Sequence, residues 1–279
     1  MSAVPFTPAS GNRLLLLEPN NSDLSNALWE GVQTLIQATQ ASSIHLLFTP
    51  EAHQNLLKDK DVISRMTSQF HWHNNGYESF EHWLSHFKTK ARKNTRAERR
   101  KAKKVIDRFF WVSGSDLTAK HIEIIWNFYI DTSNRKWGQP YLPRSFFSEL
   151  NQSLADITLV CFAETNGEIV ASSLCFQKGE HLYGRYWGCK EYIDCLHFEL
   201  CYHQPIALCI QKGWTKFEAG AQGEHKLKRG LLPTPTHSLH WLAHQGLHHA
   251  IADFCSKEER DTQRRIALLS EHSPIKTTP

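Results

Sequence analysis

The chain lacks any apolar run approaching the roughly 18–20 residues that cross a bilayer. Its opening, Met1-Ser-Ala-Val-Pro-Phe-Thr-Pro8, holds neither a basic stretch nor an apolar core of the kind a secretion signal needs. Both absences argue against an integral membrane or exported protein, so the sequence reads as cytoplasmic. It has no Cys-x-x-Cys pair. The seven cysteines are odd in number and scattered, which fits a reducing compartment better than a disulfide framework. Cys189, Cys195 and Cys201 recur every six residues, a spacing that turns them to different faces of a helix and argues against structural zinc. No Gly-x-x-x-x-Gly-Lys-Ser/Thr loop and no Gly-x-Gly-x-x-Gly segment is present, so neither common phosphate cradle is available.

What is there is ordinary in bulk: 279 residues, 41% hydrophobic and 22% charged. That excludes a disordered tail, a collagen-like fibre or a charged helical repeat, and allows one large or two average domains. The net charge of +4 is unevenly placed. Lys88 to Lys104 hold ten Lys/Arg against the single acid Glu98, so this segment carries +9 and the remainder −5. Histidine (17) and tryptophan (nine) are both plentiful and lean toward polar-aromatic surfaces and grooves.

The patterning alternates strands and helices in the first third. Arg13 to Leu17 and Ser43 to Phe48 read as strands, with a helix over 26–41 between them and a short one opened by Pro50-Glu51. Phe70 to His73 reads as a short aromatic strand before an Asn74-Asn-Gly76 turn. Phe80, Trp83, Leu84 and Phe87 then keep helical spacing into the basic segment. After a strand at 109–112 and a helix at 119–133, a meander follows: 157–163, 168–176 and 181–187, joined by Asn166-Gly167 and Lys178-Gly179 turns. A helix over 196–212, split at Pro205 and stopped by Gly213, leads to a strand at 215–218. A strand at 238–242 and a helix ending near Arg265 close the pattern. The expected organisation is a partial domain at 1–87, a basic helical hinge at 88–104, an α+β domain at 105–270 and a polar tail at 271–279.

Three groups of residues bear on chemistry. The basic run offers Arg92, Lys93, Arg96, Arg99 and Arg100 as nucleic-acid phosphate contacts, the alternative being a solvated helix face. His71-Trp-His73 puts two imidazoles on one strand face without a third ligand, so no metal is expected. The densest group lies in the second half. Tyr183, Arg185 and Trp187 share a strand face, and Gly184 and Gly188 permit a bulge or a close backbone approach. His197 and Glu199 open the next helix. Phe217-Glu-Ala-Gly-Ala-Gln-Gly-Glu-His-Lys-Leu-Lys-Arg-Gly230 then supplies two carboxylates, one imidazole and three cations. That mixture suits removal of a proton from an amine and stabilisation of an oxyanion. Tyr192-Ile-Asp-Cys195, before the 196–212 helix, has no glycine to let a pyrophosphate reach the backbone, which weighs against a CoA cradle there.

Leu182-Tyr-Gly-Arg-Tyr-Trp-Gly188, Leu196-His-Phe-Glu199 with Cys201-Tyr202, and Phe217 to Lys226 with Arg229-Gly230 resemble the FemAB-like family of peptidoglycan biosynthesis or recognition proteins, within the GNAT acyltransferase superfamily. Val4 to Pro8 with Arg13-Leu14, His73-Asn74 with Gly76-Tyr77, and Trp137-Gly138 with Tyr141-Leu142 extend the resemblance over nearly the whole chain. The resemblance implies an α+β fold of tandem GNAT-like domains, with a mixed, mostly antiparallel sheet flanked by helices. It implies acyl or aminoacyl transfer to an amine, with aminoacyl-tRNA or acyl-CoA as donor and a cell-wall precursor as acceptor. In the family the Val-Pro-Phe-Thr-Pro motif sits well inside the chain, so the first domain is expected to be truncated here. Glu218 or Glu224 is the expected general base, with His225 as rival. Lys226 and Arg229 are expected on an anionic group, and Tyr183, Arg185, Trp187, His197, Glu199 and Gln222 on the rest of the substrate. The competing readings are a non-catalytic GNAT-scaffold binding module and an inactive fragment of a longer protein.

Overall fold

The computed structural model describes residues 8–18, 21–135, 139–221 and 223–276. In chain order these form α1 (Ser22–Thr39), β1 (Ser43–Thr49), α2 (Glu51–Leu56), β2 (Ile63–His73), α3 (Phe80–Ser85), α4 (Thr89–Lys103), β3 (Arg108–Ser113), α5 (Ala119–Arg135), α6 (Arg144–Ser148), β4 (Thr158–Thr165), β5 (Glu168–Lys178), β6 (His181–Cys189), α7 (Leu196–Phe198), α8 (Gln204–Lys212), β7 (Lys216–Glu218), β8 (Leu232–Leu242) and α9 (Gln245–Glu271). The chain divides into two compact units, 1–69 with 233–272, and 70–232 with 273–279. No helix among the described residues is long and apolar enough to cross a membrane.

In the first unit β1 runs antiparallel to β8, with Ser43 opposite Leu242 and His45 opposite His240. β2 lies on the other side of β8, and the Thr67 and Thr236 hydroxyls meet there at 2.8 Å. Helix α1 is capped by Asn21, whose side chain accepts from the Asp23 and Leu24 amides, so two of the donors left open at a helix start are satisfied. Leu14, Trp29, Leu46, Leu57 and Leu239 form one core and Ile63, Leu242 and Cys255 a second. The strand expected at Arg13 to Leu17 does not form. The Arg13 guanidinium donates instead to the carbonyls of Leu47 and Ala9, both at 2.8 Å, and pins this stretch as a loop. Leu14 is buried, whereas Leu15 and Leu17 stand 83% and 98% exposed.

The second unit is a sheet in the order β2–β7–β6–β5–β4–β3. The meander β3 to β6 is antiparallel throughout, as its alternating pattern and glycine turns require. Asn166 and Gly167 both take positive φ, 51° and 73°, in the β4–β5 hairpin. Two cores cover its faces, one around Cys161, Ala171 and Leu200, the other around Tyr129, Phe147, Phe162 and Leu174. Gly188 is where β6 meets α5: a Cβ there would lie 2.5 Å from the Phe128 Cβ.

The linear boundaries expected from the sequence do not follow these units. The basic run is helix α4 inside the second unit, burying Thr95 and Ala102. Residues 233–272 return to the first unit because β8 pairs with a strand nearly two hundred positions earlier, as His45 and His240, 195 apart, illustrate. The final residues are not a free polar tail: Lys88 N–H donates to Pro274 O at 2.7 Å and Lys276 N–H to His86 O at 2.8 Å. The split expected at Pro205 appears just ahead of it. Glu199–His203 widens into a π turn, and Pro205 sits in the first turn of α8, where its missing N–H costs nothing.

Candidate functional site

The sheet of the second unit opens at one place. β6 and β7 run parallel and share three pairs, His181 with Lys216, Leu182 with Phe217 and Tyr183 with Glu218. Beyond these β6 continues to Cys189 beside β5, whereas β7 ends at Glu218. The chain then passes Gly220 and Gly223, with φ of 79° and 105°, which suit glycine because a side chain disfavours that region. A 3₁₀ segment, Glu224–Arg229, follows, closed by Gly230 at φ 77°.

Buried charge gathers at this opening. Glu218 is 3% exposed, with Lys216 Nζ at 2.5 Å from Oε1 and His71 Nε2 at 4.0 Å from Oε2. Burial, together with Lys216 and other nearby cations, drives the His71 pKa down to about 2, so its imidazole is neutral. His73 and His181 are lowered for the same two reasons. Lys226 is also 3% exposed, and its Nζ donates to the Gly220 carbonyl at 2.6 Å. Burial brings this ammonium down to about 8.

A second set lines the 3₁₀ segment. His225 is exposed, and its Nε2 lies 2.8 Å from the Tyr202 hydroxyl. Partial burial, then Arg229 and Lys226, holds His225 below its ordinary pKa, and burial raises the Tyr202 phenol. A neutral imidazole on a protonated hydroxyl is the state at pH 7. Trp187, His197, Phe198 and Tyr202 form an aromatic wall beside it, with the Trp187 and His197 rings 5.1 Å apart and the His197 and His225 rings 6.3 Å apart. Arg229 is 7% exposed. It donates to Glu98 from Nε at 3.2 Å and Nη2 at 2.7 Å, and to the His225 carbonyl from Nη1 at 2.8 Å, while its guanidinium lies 3.4 Å from the Phe198 ring centre. Burial works to raise the Glu98 carboxyl, but His203 and Arg229 outweigh it and hold the group below the usual carboxylate range.

The expected residues therefore separate. Tyr183, Glu218, Lys226 and His225 stand at or next to the opening, and Trp187 and His197 form the wall. Glu224 lies exposed on the 3₁₀ segment. Arg185 is the extra residue of a bulge between β5 and β6; it donates to the Tyr141 hydroxyl at 2.5 Å and lies over the Tyr186 ring. Glu199, expected on substrate, sits inside the protein. Its side chain is fully buried, held by Arg99 at 3.0 Å and by Gln204 at 2.8 Å. Arg99 correspondingly turns inward, away from the phosphate role expected of it. Arg96 pairs with Glu81 at 2.5 Å, Arg92 donates to the Ser85 carbonyl at 3.5 Å, and Lys93 and Arg100 are exposed. Arg229, expected on substrate, is held inside the protein. Gln222, and the Val4 to Thr7 and Trp137-Gly138 parts of the resemblance, lie outside the described residues. Glu98 enters the sequence reading only through its charge, yet a lone acid among ten cations marks it out. Among the described residues no group of three or more His, Cys, Asp or Glu is placed to hold a metal ion.

No curated protein matches the chain in sequence. FemX shares the fold, with a TM-score of 0.57 at 12% identity over 90% of this chain and 85% of FemX. So does L-PGS from Bacillus licheniformis, at 0.57 and 10% over 87% and 80% of the two chains. A domain described as the C-terminal DUF2156 region of a lysylphosphatidylglycerol synthetase from Agrobacterium fabrum gives 0.58 and 11% over 88% and 79%. These likenesses bear out the α+β fold expected from the resemblance, with its mostly antiparallel strands and flanking helices. Residues 1–277 match the FemAB-like profile, described as peptidoglycan biosynthesis/recognition, and the chain belongs to that family.

Proposed function

We propose that the chain is an aminoacyltransferase that moves an aminoacyl group from an ester donor to an amine of a cell-wall precursor. The observation that carries this reading is the buried Lys226 ammonium where β6 and β7 part, next in sequence to an imidazole that is neutral at pH 7. A carbonyl held at that opening develops negative charge when an amine attacks it. Lys226 supplies the compensating charge in a place water screens poorly, the setting in which such stabilisation is strongest. His225 takes the proton released by the amine as the C–N bond forms. It returns that proton to the departing oxygen as the ester C–O bond breaks. It suits the base better than Glu218, whose carboxylate is already engaged by Lys216. Tyr183 and the Trp187–His197 wall are the groups left to orient the acceptor. Aminoacyl-tRNA is the donor that gives the exposed cations of α4 a purpose, by counterion release from its phosphates; acyl-CoA is the alternative tested beside it.

The test is transfer of radiolabel from aminoacyl-tRNA, and in parallel from acyl-CoA, to a peptidoglycan stem peptide bearing a free side-chain amine. Transfer from the tRNA ester is expected. Lys226→Met should lower kcat by roughly 10²–10³-fold and His225→Ala by roughly 10²–10⁴-fold. A wild-type protein that binds the peptide but transfers nothing from either donor overturns the proposal in favour of a binding module.

A further inference from the structure

We infer that Glu98 is a positioning residue for the transfer site, an inference that rests on Lys226 and His225 serving the reaction. The 3₁₀ segment carrying both groups is entered through Gly220 and Gly223, whose backbones restrict it little. Beyond the Tyr202–His225 and Lys226–Gly220 bonds, it is anchored at its other end. There Arg229 is fixed on three sides: two hydrogen bonds to the Glu98 carboxylate, one to the carbonyl of His225 itself, and the face of Phe198. Charge-assisted two-point pairing fixes orientation as well as distance. Two of these partners come from separate helices, Phe198 from α7 and Glu98 from α4, and of the two Glu98 holds the guanidinium by hydrogen bonds.

The setting supports a device rather than a chance surface pair. The Arg229 side chain is 8% exposed and that of Glu98 24%. The neighbouring residue on α4, Arg99, makes the converse pair with Glu199 on the π turn. Fully buried His203 places Nε2 3.6 Å from the second Glu98 oxygen. Two adjacent residues of opposite charge thus grip α4 to both segments that border the site. Glu98 acts through Arg229 and is for that reason a positioning residue, not a catalytic one.

The test compares Glu98→Gln, which keeps shape and one acceptor but removes the charge, with Glu98→Asp, which keeps the charge. Two readouts are needed: the steady-state constants of transfer, and the NMR signals of the His225 imidazole and the Arg229 Nε–H in the free protein. Glu98→Gln is expected to lower kcat at least tenfold with KM changed less than twofold. It should also broaden or shift the His225 and Arg229 signals while the melting temperature stays close to wild type. Glu98→Asp should recover much of the kcat. Unchanged His225 and Arg229 signals in Glu98→Gln overturn the inference, whether or not the protein transfers anything. An active wild type with an unchanged kcat in Glu98→Gln overturns it while leaving the proposed function standing. Should Glu98→Gln fail to fold, Arg229→Lys decides, because a lysine keeps the charge but loses the two-point pairing: an unchanged His225 signal and kcat refute positioning, and altered values of both support it.

Discussion

Arg99 and Glu199, one hundred residues apart in sequence, meet in a two-pronged ion pair whose carboxylate is entirely buried. The arginine also lies 4.1 Å from the centre of the Phe80 ring. Removing one partner strands a desolvated charge, which costs more than the pair itself is worth. Arg99→Met is therefore expected to destabilise the protein by about 3–5 kcal/mol. The double variant Arg99→Met/Glu199→Met should recover most of that loss, because two apolar groups leave no buried charge unpaired and only the Gln204 amide loses its acceptor. Urea melts of the wild type, both single variants and the double variant measure this, and a double variant less stable than Arg99→Met refutes it.

The outward side of α4 makes a different prediction. Lys93 and Arg100 are exposed, whereas Arg99 is committed inward. Each phosphate contact removed should lower the slope of log affinity against log salt by roughly 0.7–0.9. Lys93→Glu/Arg100→Glu should therefore weaken tRNA binding and flatten its salt dependence by about 1.4–1.8. Filter binding between low and physiological salt reads both effects. A slope unchanged from wild type would place the polyanion elsewhere.

The meander could be read from residues alone because its signals are local. Asn166-Gly167 and Lys178-Gly179 mark turns, and alternation marks the strands between them, so the three strands fall within a residue or two of 157–163, 168–176 and 181–187. The site's ingredients were legible for the same reason, packed as they are into 183–230. What could not be read was pairing at a distance. Nothing in the stretch around Glu98 says that its partner is Arg229, 131 residues on, or that the charge of Arg99 points inward. A run of cations looks the same in sequence whether it is solvated on every side or anchored by one acid. The return of β8 to β1 is hidden likewise, because strand patterning reports which face is buried but not which strand lies alongside.

Gly230 offers a test of how closely the site is packed. Its φ of 77° is one that a side chain resists, and a Cβ there would stand 2.7 Å from both Trp83 Cζ2 and Phe87 Cζ. Both aromatic residues are fully buried and cannot swing aside. Gly230→Ala is expected to cost about 2–4 kcal/mol, combining positive-φ strain with overpacking. Trp83 fluorescence should shift with it, and a variant as stable as wild type would mean that α3 gives way easily.

His240 makes the first unit sensitive to acid. Its Nδ1 lies 2.8 Å from that of His45 on the facing strand, so the pair shares one proton between two nitrogens and cannot hold a proton on each. Burial first, then His45 and Arg65, lowers the His240 pKa to about 4, against the opposing pull of Glu258, and His45 is lowered by burial. The sign follows from proton counting. Between about pH 4 and 6.5 the unfolded chain binds a proton at His240 that the folded chain refuses, so stability is complete above 6.5 and falls as the pH drops toward 4. The ring is not wholly shielded from water, so the loss from His240 should be about 1–2 kcal/mol rather than the full value of the shift. His71, on β2 in the second unit, is displaced further and adds its own acid dependence over the same range, so replacing His240 flattens the profile without abolishing it. His240→Gln should therefore lose less melting temperature than wild type between pH 7.5 and 4.5. Parallel curves for the two proteins would show that the His45–His240 contact carries no linked proton.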